Sequence, residues 1–131
     1  MIKAISHLGM AVKNLDEARE FYRSVFGLES SGPITGGGGT VTASLVELEN
    51  VTVELLEPVG NTGPIAKFLE KRGEGIHHVC YEVDDINEEI NSLKAKGIEA
   101  LGEPTPGAEG LSAFLHPKGT HGVLVELVQK D

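Results

Sequence analysis

The chain has 131 residues, 40% of them apolar and 24% charged, enough to bury a core and too balanced for a disordered or fibrous protein. A net charge of -9 argues against nucleic acid and anionic membrane as partners, because both call for a cationic surface, and no apolar run is long enough for a membrane span. A single cysteine excludes an internal disulfide, and the first residues lack the basic, apolar and small-residue order of an export signal, so the expectation is a cytoplasmic protein.

The alternation from Lys3 to Lys13 predicts a strand with Leu8, Met10 and Val12 on one face and His7, Gly9 and Ala11 on the other. Asn14 followed by Glu17 resembles a capping box, and Leu15, Ala18, Phe21, Tyr22 and Val25 fall on one side of a helix that Gly27 stops. That helix is expected to cover the Leu8, Met10, Val12 face, leaving His7 on the other. Leu28 to Ser31 reads as a short strand, and Gly36 to Gly39 as an adaptable loop or lid. Thr40 to Leu48 and Val51 to Glu57 form a hairpin about Glu49-Asn50. A two-residue turn there sets Leu45 opposite Glu54 and Glu47 opposite Thr52, so both glutamates look where His7 looks. Pro58 to Pro64 reads as a linker, and Ile65 to Arg72 as a short helix ended by Gly73.

The same plan then returns: a strand from Gly75 to Val83, a helix from Ile86 to Lys96 stopped by Gly97, and a short strand from Ile98 to Leu101. A Pro/Gly loop from Glu103 to Gly110 follows, with paired strands Leu111 to His116 and Gly122 to Val128. His7-x4-Val12-x2-Leu15 matches His78-x4-Val83-x2-Ile86 in spacing, and Val53-Glu54-Leu55 is answered by Val125-Glu126-Leu127. His7 and His78 lie 71 positions apart, Glu54 and Glu126 72, so a whole βαβββ unit recurs. The fold class is therefore α+β, with two βαβββ modules in one domain spanning 1–131: module one about 1–58, a linker and short helix about 59–73, and module two about 74–131.

Two copies packed about a pseudo-twofold axis would bring His7, Glu54, His78 and Glu126 together. Each is a polar side chain on an otherwise apolar strand, and an ionised carboxylate buried without a partner costs several kcal/mol. One divalent metal satisfies all four, and imidazole with carboxylate suits Zn, Co, Ni, Mn or Fe, with room for further ligands if the ion is octahedral. His77 points away from this set and reads as structural. Cys80 shares the face of His78 and reads as a small buried apolar residue. Lys118 reads either as a partner for a carboxylate or phosphate or as a solvated loop residue.

Val-x-Asn-Leu-Asp-x-Ala-x-x-Phe-Tyr, from Val12 to Tyr22 after a strand histidine, resembles the vicinal oxygen chelate superfamily of glyoxalase I, ring-cleaving dioxygenases and antibiotic-resistance proteins. Val53-Glu54-Leu55-Leu56-Glu57-Pro58, Gly75-Ile76-His77-His78-Val79-Cys80 and Phe114-Leu115-His116-Pro117-Lys118 narrow the likeness to the methylmalonyl-CoA epimerase family. The resemblance implies paired βαβββ modules forming a cupped mixed sheet around a divalent metal, with ligands at His7, Glu54, His78 and Glu126. It also implies an acyl-CoA substrate and a homodimer. The implied reaction is epimerisation of methylmalonyl-CoA at C2, by removal of the C2 proton to give an enolate and return of a proton on the other face. Glu126 is a candidate acid–base group, and Glu47 a second one on the hairpin register; Glu47 equally reads as a solvated strand-end residue. In some relatives the base lies earlier on that strand, near Thr42 or Ala43, where this chain has no carboxylate. Two rival readings stand beside it: glyoxalase I acting on a glutathione hemithioacetal, and a metal-free protein that sequesters a drug.

Overall fold

A computed structural model describes every residue except Ala108, which falls in the predicted Pro/Gly loop. The chain forms two compact units: Leu8–His77, and Met1–His7 together with His78–Asp131. The first seven residues thus cluster with the second half of the sequence. No helix is long and apolar enough to cross a membrane among the described residues.

In the Leu8–His77 unit the strands lie in the order β2 (Ile34–Gly36), β3 (Val41–Glu47), β4 (Thr52–Pro58) and the end of β1 (Ile2–Ala11). The β3–β4 hairpin has the expected register, with Leu45 opposite Glu54 and Glu47 opposite Thr52. On one face Leu15, Val46, Val53 and Leu55 form a buried cluster, to which Met10, Val12, Ala18 and Tyr22 add. Leu15, Ala18 and Tyr22 belong to α1 (Leu15–Phe26), so this helix covers the expected strand face. Phe21 and Val25, expected on the same stripe, are instead 50% and 60% exposed. At 100° per residue Phe21 stands about 60° beyond Ala18, off the edge of the stripe through Leu15, Ala18 and Tyr22, whereas Val25 stands only about 20° beyond Ala18 but in the last turn of the helix. A second cluster joins Ala11, Ala43, Leu56 and Ile65, with Phe68 and Leu69 of α2 (Pro64–Arg72) packed on it.

Leu28–Ser31 is not a strand. Ser31 makes one local exchange with Leu45, donating its N–H to the Leu45 carbonyl at 2.8 Å and accepting the Leu45 N–H on its hydroxyl at 2.9 Å. The ladder starts only after Pro33, with Ile34 opposite Ala43. The predicted glycine loop is a 3-10 turn over Gly37–Gly39, with all three residues at positive φ (58°, 66° and 90°), which is why this stretch is glycine.

The other unit runs β1, β5 (Gly75–Val83), β8 (Val125–Lys130), β7 (Gly110–Leu115), β6 (Thr105–Pro106). β5 and β8 pair in parallel, with Cys80 opposite Glu126, and β7 and β8 antiparallel, with Phe114 opposite Glu126. The face carrying Ala113, Leu115, Val125 and Leu127 packs with Val83 and Ile86 under α3 (Ile86–Ala95), adding Ile90, Leu93 and Ile98. Of the strand expected over Ile98–Leu101 only a bridge from Ala100 to Leu115 forms, because the Ile98 N–H is taken by the Leu93 carbonyl closing α3. β8 begins at Val125 rather than Gly122. His121 and Gly122 both take positive φ, and the Thr120 hydroxyl donates to the Val123 carbonyl at 2.6 Å, so a turn occupies the first residues of the predicted strand.

The two helices following β1 and β5 start by one device. Asn14 accepts the Glu17 N–H in α1, and Asp85 accepts the Glu88 N–H in α3. The first backbone donor of each helix is met by a side chain three residues after the repeated glutamate: Glu57 accepts from Leu15 at 2.6 Å, and Gln129 accepts from Ile86 at 2.9 Å. The sequence repeat is therefore a repeat of local hydrogen bonding as well as of residue type.

Candidate active site

Period-two alternation puts Leu127 and Val125 into the α3 core and turns Glu126 to the opposite face, beside Cys80 and Phe114. The same alternation on β5 carries His78 to that face, and its ring meets Phe114 edge-on at 5.5 Å. His7 enters from β1. His7 and His78 are 4% and 5% exposed, with rings edge-to-face at 5.1 Å between centroids.

Three donor atoms meet here. His7 Nε2 lies 3.0 Å from His78 Nε2 and 3.1 Å from Glu126 Oε1, and His78 Nε2 lies 3.2 Å from the same oxygen. His7 Nδ1 lies 2.9 Å from Glu109 Oε1. An ionised carboxylate only accepts, so His7 donates Nδ1–H to Glu109 and, in its neutral form, presents a lone pair at Nε2. Three electron-rich atoms then face one another with at most the His78 proton to share, an arrangement that a cation relieves. Their separations are those of neighbouring ligands around an ion bound at about 2.1 Å. The donor set thus fits a divalent metal of the imidazole-and-carboxylate class.

Burial pushes the Glu126 carboxyl up; positive charge at this spot does the opposite, since protonated His7 and His78, donating to it and facing it with their charge, outweigh burial and hold the group at about 2. The hydrogen bond to His7 is the main cause keeping the Glu109 carboxyl below its ordinary value, against the opposing effect of burial. Cys80, fully buried, has a sulfur within 4.8 Å of ligand atoms of His7 and Glu126. Burial pushes its thiol up to about 11, so it stays protonated and is a poor ligand beside them.

Of the remaining expected residues, Glu54, Glu47 and His77 lie in the Leu8–His77 unit and Lys118 in the other. Glu54 is half-buried at the middle of β4, opposite Leu45. Glu47 is exposed at the last residue of β3. His77 packs edge-on against Phe68 of α2 at 5.2 Å. Lys118 sits in a 3-10 turn over Pro117–Thr120, its N–H donated to His116 Nδ1 at 3.2 Å. Glu109 was not singled out in the sequence. It stands in a Pro/Gly loop with no periodicity, and a lone loop carboxylate there reads as solvated; the only available signal is that it precedes a glycine at a strand start.

Residues 6–115 match a family model described as the Glyoxalase/Bleomycin resistance protein/Dioxygenase superfamily. The chain is 44% identical to the ethylmalonyl-CoA/methylmalonyl-CoA epimerase of Cereibacter sphaeroides over 98% of its own length and 99% of that protein's. It is also 44% identical to the mitochondrial methylmalonyl-CoA epimerase of Dictyostelium discoideum, over 98% of this chain and 80% of the other. A structure of Streptomyces coelicolor methylmalonyl-CoA epimerase in complex with 2-nitronate-propionyl-CoA superposes with a TM-score of 0.92 at 33% identity, covering 99% of this chain and 96% of that one.

Proposed function

Because the chain belongs to the glyoxalase/bleomycin resistance protein/dioxygenase superfamily, and the two relatives 44% identical to it named above are methylmalonyl-CoA epimerases, we propose that it epimerises methylmalonyl-CoA at C2 through a metal-stabilised enolate. It is a methylmalonyl-CoA epimerase-like isomerase. The observation that carries the finer reading is the meeting of His7 Nε2, His78 Nε2 and Glu126 Oε1 within 3.0–3.2 Å. Glu54 completes the proposed ligand set on the strength of the sequence repeat, which gives it the position in Val53-Glu54-Leu55 that Glu126 holds in Val125-Glu126-Leu127.

His7, Glu54, His78 and Glu126 would hold the divalent ion, which when bound would supply positive charge near a developing enolate oxygen, as removal of so weakly acidic a proton as one alpha to a thioester requires. The protein's own groups do the rest. The two imidazoles and Glu126 are fixed on strands with apolar neighbours, so little reorganisation accompanies the change in charge. Inversion needs one group to take the C2 proton and another to return a proton to the opposite face. Glu126 is ionised far below neutrality and is proposed for one role. Glu47 is proposed for the other, on the β3–β4 register that turns it to the face of Glu54. The nitronate in the ligand of the Streptomyces coelicolor relative is a planar delocalised anion, the electronic form of an enolate. The proposal extends to a homodimer acting on an acyl-CoA in the cytoplasm.

Methylmalonyl-CoA incubated with the metal-loaded protein in deuterated water is expected to exchange its C2 proton and to interconvert its two C2 forms. Absence of exchange, with a glutathione hemithioacetal turned over instead, would move the assignment to glyoxalase I. Absence of both, with no metal in the purified protein, would favour the metal-free binder.

A further inference from the structure

We propose that Glu109 is a positioning residue for His7, holding its proton on Nδ1 so that the Nε2 lone pair is presented to the site. The inference rests on the metal reading above and extends it to a residue outside the four proposed ligands. Its support is geometric. Glu109 Oε1 accepts from His7 Nδ1 at 2.9 Å, and its other oxygen accepts from the Ser6 hydroxyl at 3.0 Å, with Lys130 Nζ at 3.7 Å. The carboxylate is therefore tethered on its far side, and His7 and its neighbour Ser6 are engaged by the two oxygens of one group.

The backbone at this point is also fixed. Gly110 follows at φ +144°, and a Cβ placed there would come within 2.1 Å of the Gln129 carbonyl oxygen. The Gly107 N–H donates to the Gly110 carbonyl at 2.7 Å, and the Asp131 N–H to the Glu109 carbonyl at 3.3 Å. Glu109 thus projects from a close β7–β8 crossing and not from a free loop. Without it, the His7 proton has a competing acceptor in Glu126 Oε1, 3.1 Å from Nε2. A proton moved to Nε2 occupies the lone pair that a metal needs. A carboxylate behind a ligating imidazole both fixes the tautomer and raises its basicity, and removing such a partner typically costs 10–100-fold in metal affinity.

The test combines two readouts on wild type, Glu109→Ala and Glu109→Gln. The first is the His7 tautomer in the metal-free protein, from long-range 1H–15N spectra. The second is Co2+ affinity by competition with a chelator. Wild type is expected to show the Nδ1–H form. Glu109→Ala is expected to shift His7 toward Nε2–H and to bind Co2+ roughly 10–100-fold more weakly. Glu109→Gln, which keeps an acceptor, is expected to restore the tautomer and part of the affinity. An unchanged backbone amide spectrum establishes that each variant is folded. If Glu109→Ala keeps both the tautomer and the affinity of wild type, the proposal is overturned while the metal reading stands. If the tautomer shifts but wild type itself takes up no Co2+, the positioning role stands and the metal reading fails.

Discussion

Alanine at His7 or at His78 is expected to lower the epimerisation rate by about 10²–10³-fold, the scale on which losing one preorganised electrostatic contact to a developing oxyanion is felt. Each imidazole is almost wholly buried and contributes an Nε2 atom within 3.2 Å of Glu126 Oε1, so neither can be replaced by solvent without opening the site. The loss should appear in metal content as well as in turnover, because a divalent ion that gives up one of its nitrogen ligands is held more weakly. His77→Ala supplies the control. Adjacent to His78 but packed on Phe68, it should leave ion content and rate close to wild type. Turnover and metal content that survive the loss of either His7 or His78 would reduce the sequence repeat to an architectural one.

The second large effect is on stability. Leu55 and Leu127 follow the two repeated glutamates, and both are fully buried, each in the centre of its own unit's core. Leu→Ala at such a site removes apolar contact and leaves a cavity that collapses only in part, which costs about 2–5 kcal/mol. Chemical denaturation of Leu55→Ala and Leu127→Ala should show midpoints lowered accordingly. A loss under about 1 kcal/mol at either position would mean that the surrounding helix relaxes into the space, as a loosely packed core allows.

Much of the fold was legible because its signals are local and periodic. The alternation in Gly75–Val83 marks β5 at both ends, Asn14 and Asp85 announce their helices, and the Glu49-Asn50 turn fixes the register of the β3–β4 hairpin. Three of the four proposed ligands, His7, His78 and Glu126, were picked out by recurrence and are brought together by the strands. What escaped depended on which partners the groups take in the fold. Leu28–Ser31 has the residues of a strand, but its Leu28 N–H is taken by the Tyr22 carbonyl at the end of α1, and Gly122–Leu124 is occupied by a turn that the Thr120 hydroxyl closes. Phe21 carries an apolar side chain off the edge of the stripe that the core defines, and Val25 stays exposed in the last turn of its helix. Glu109 acquires its meaning from a contact 102 residues away, which no window along the chain can display.

Cys80 has a consequence for how this molecule is observed. It is the chain's one thiol, it is sealed from solvent, and its sulfur stays protonated until about pH 11, so an alkylating reagent has nothing to attack while the strands around it hold. Labelling then proceeds only through transient opening, and its rate becomes a clock for that event at the very spot where His7 and Glu126 stand. A ligand that ties those groups together should slow the clock, giving a readout of occupancy that needs neither substrate nor chromophore.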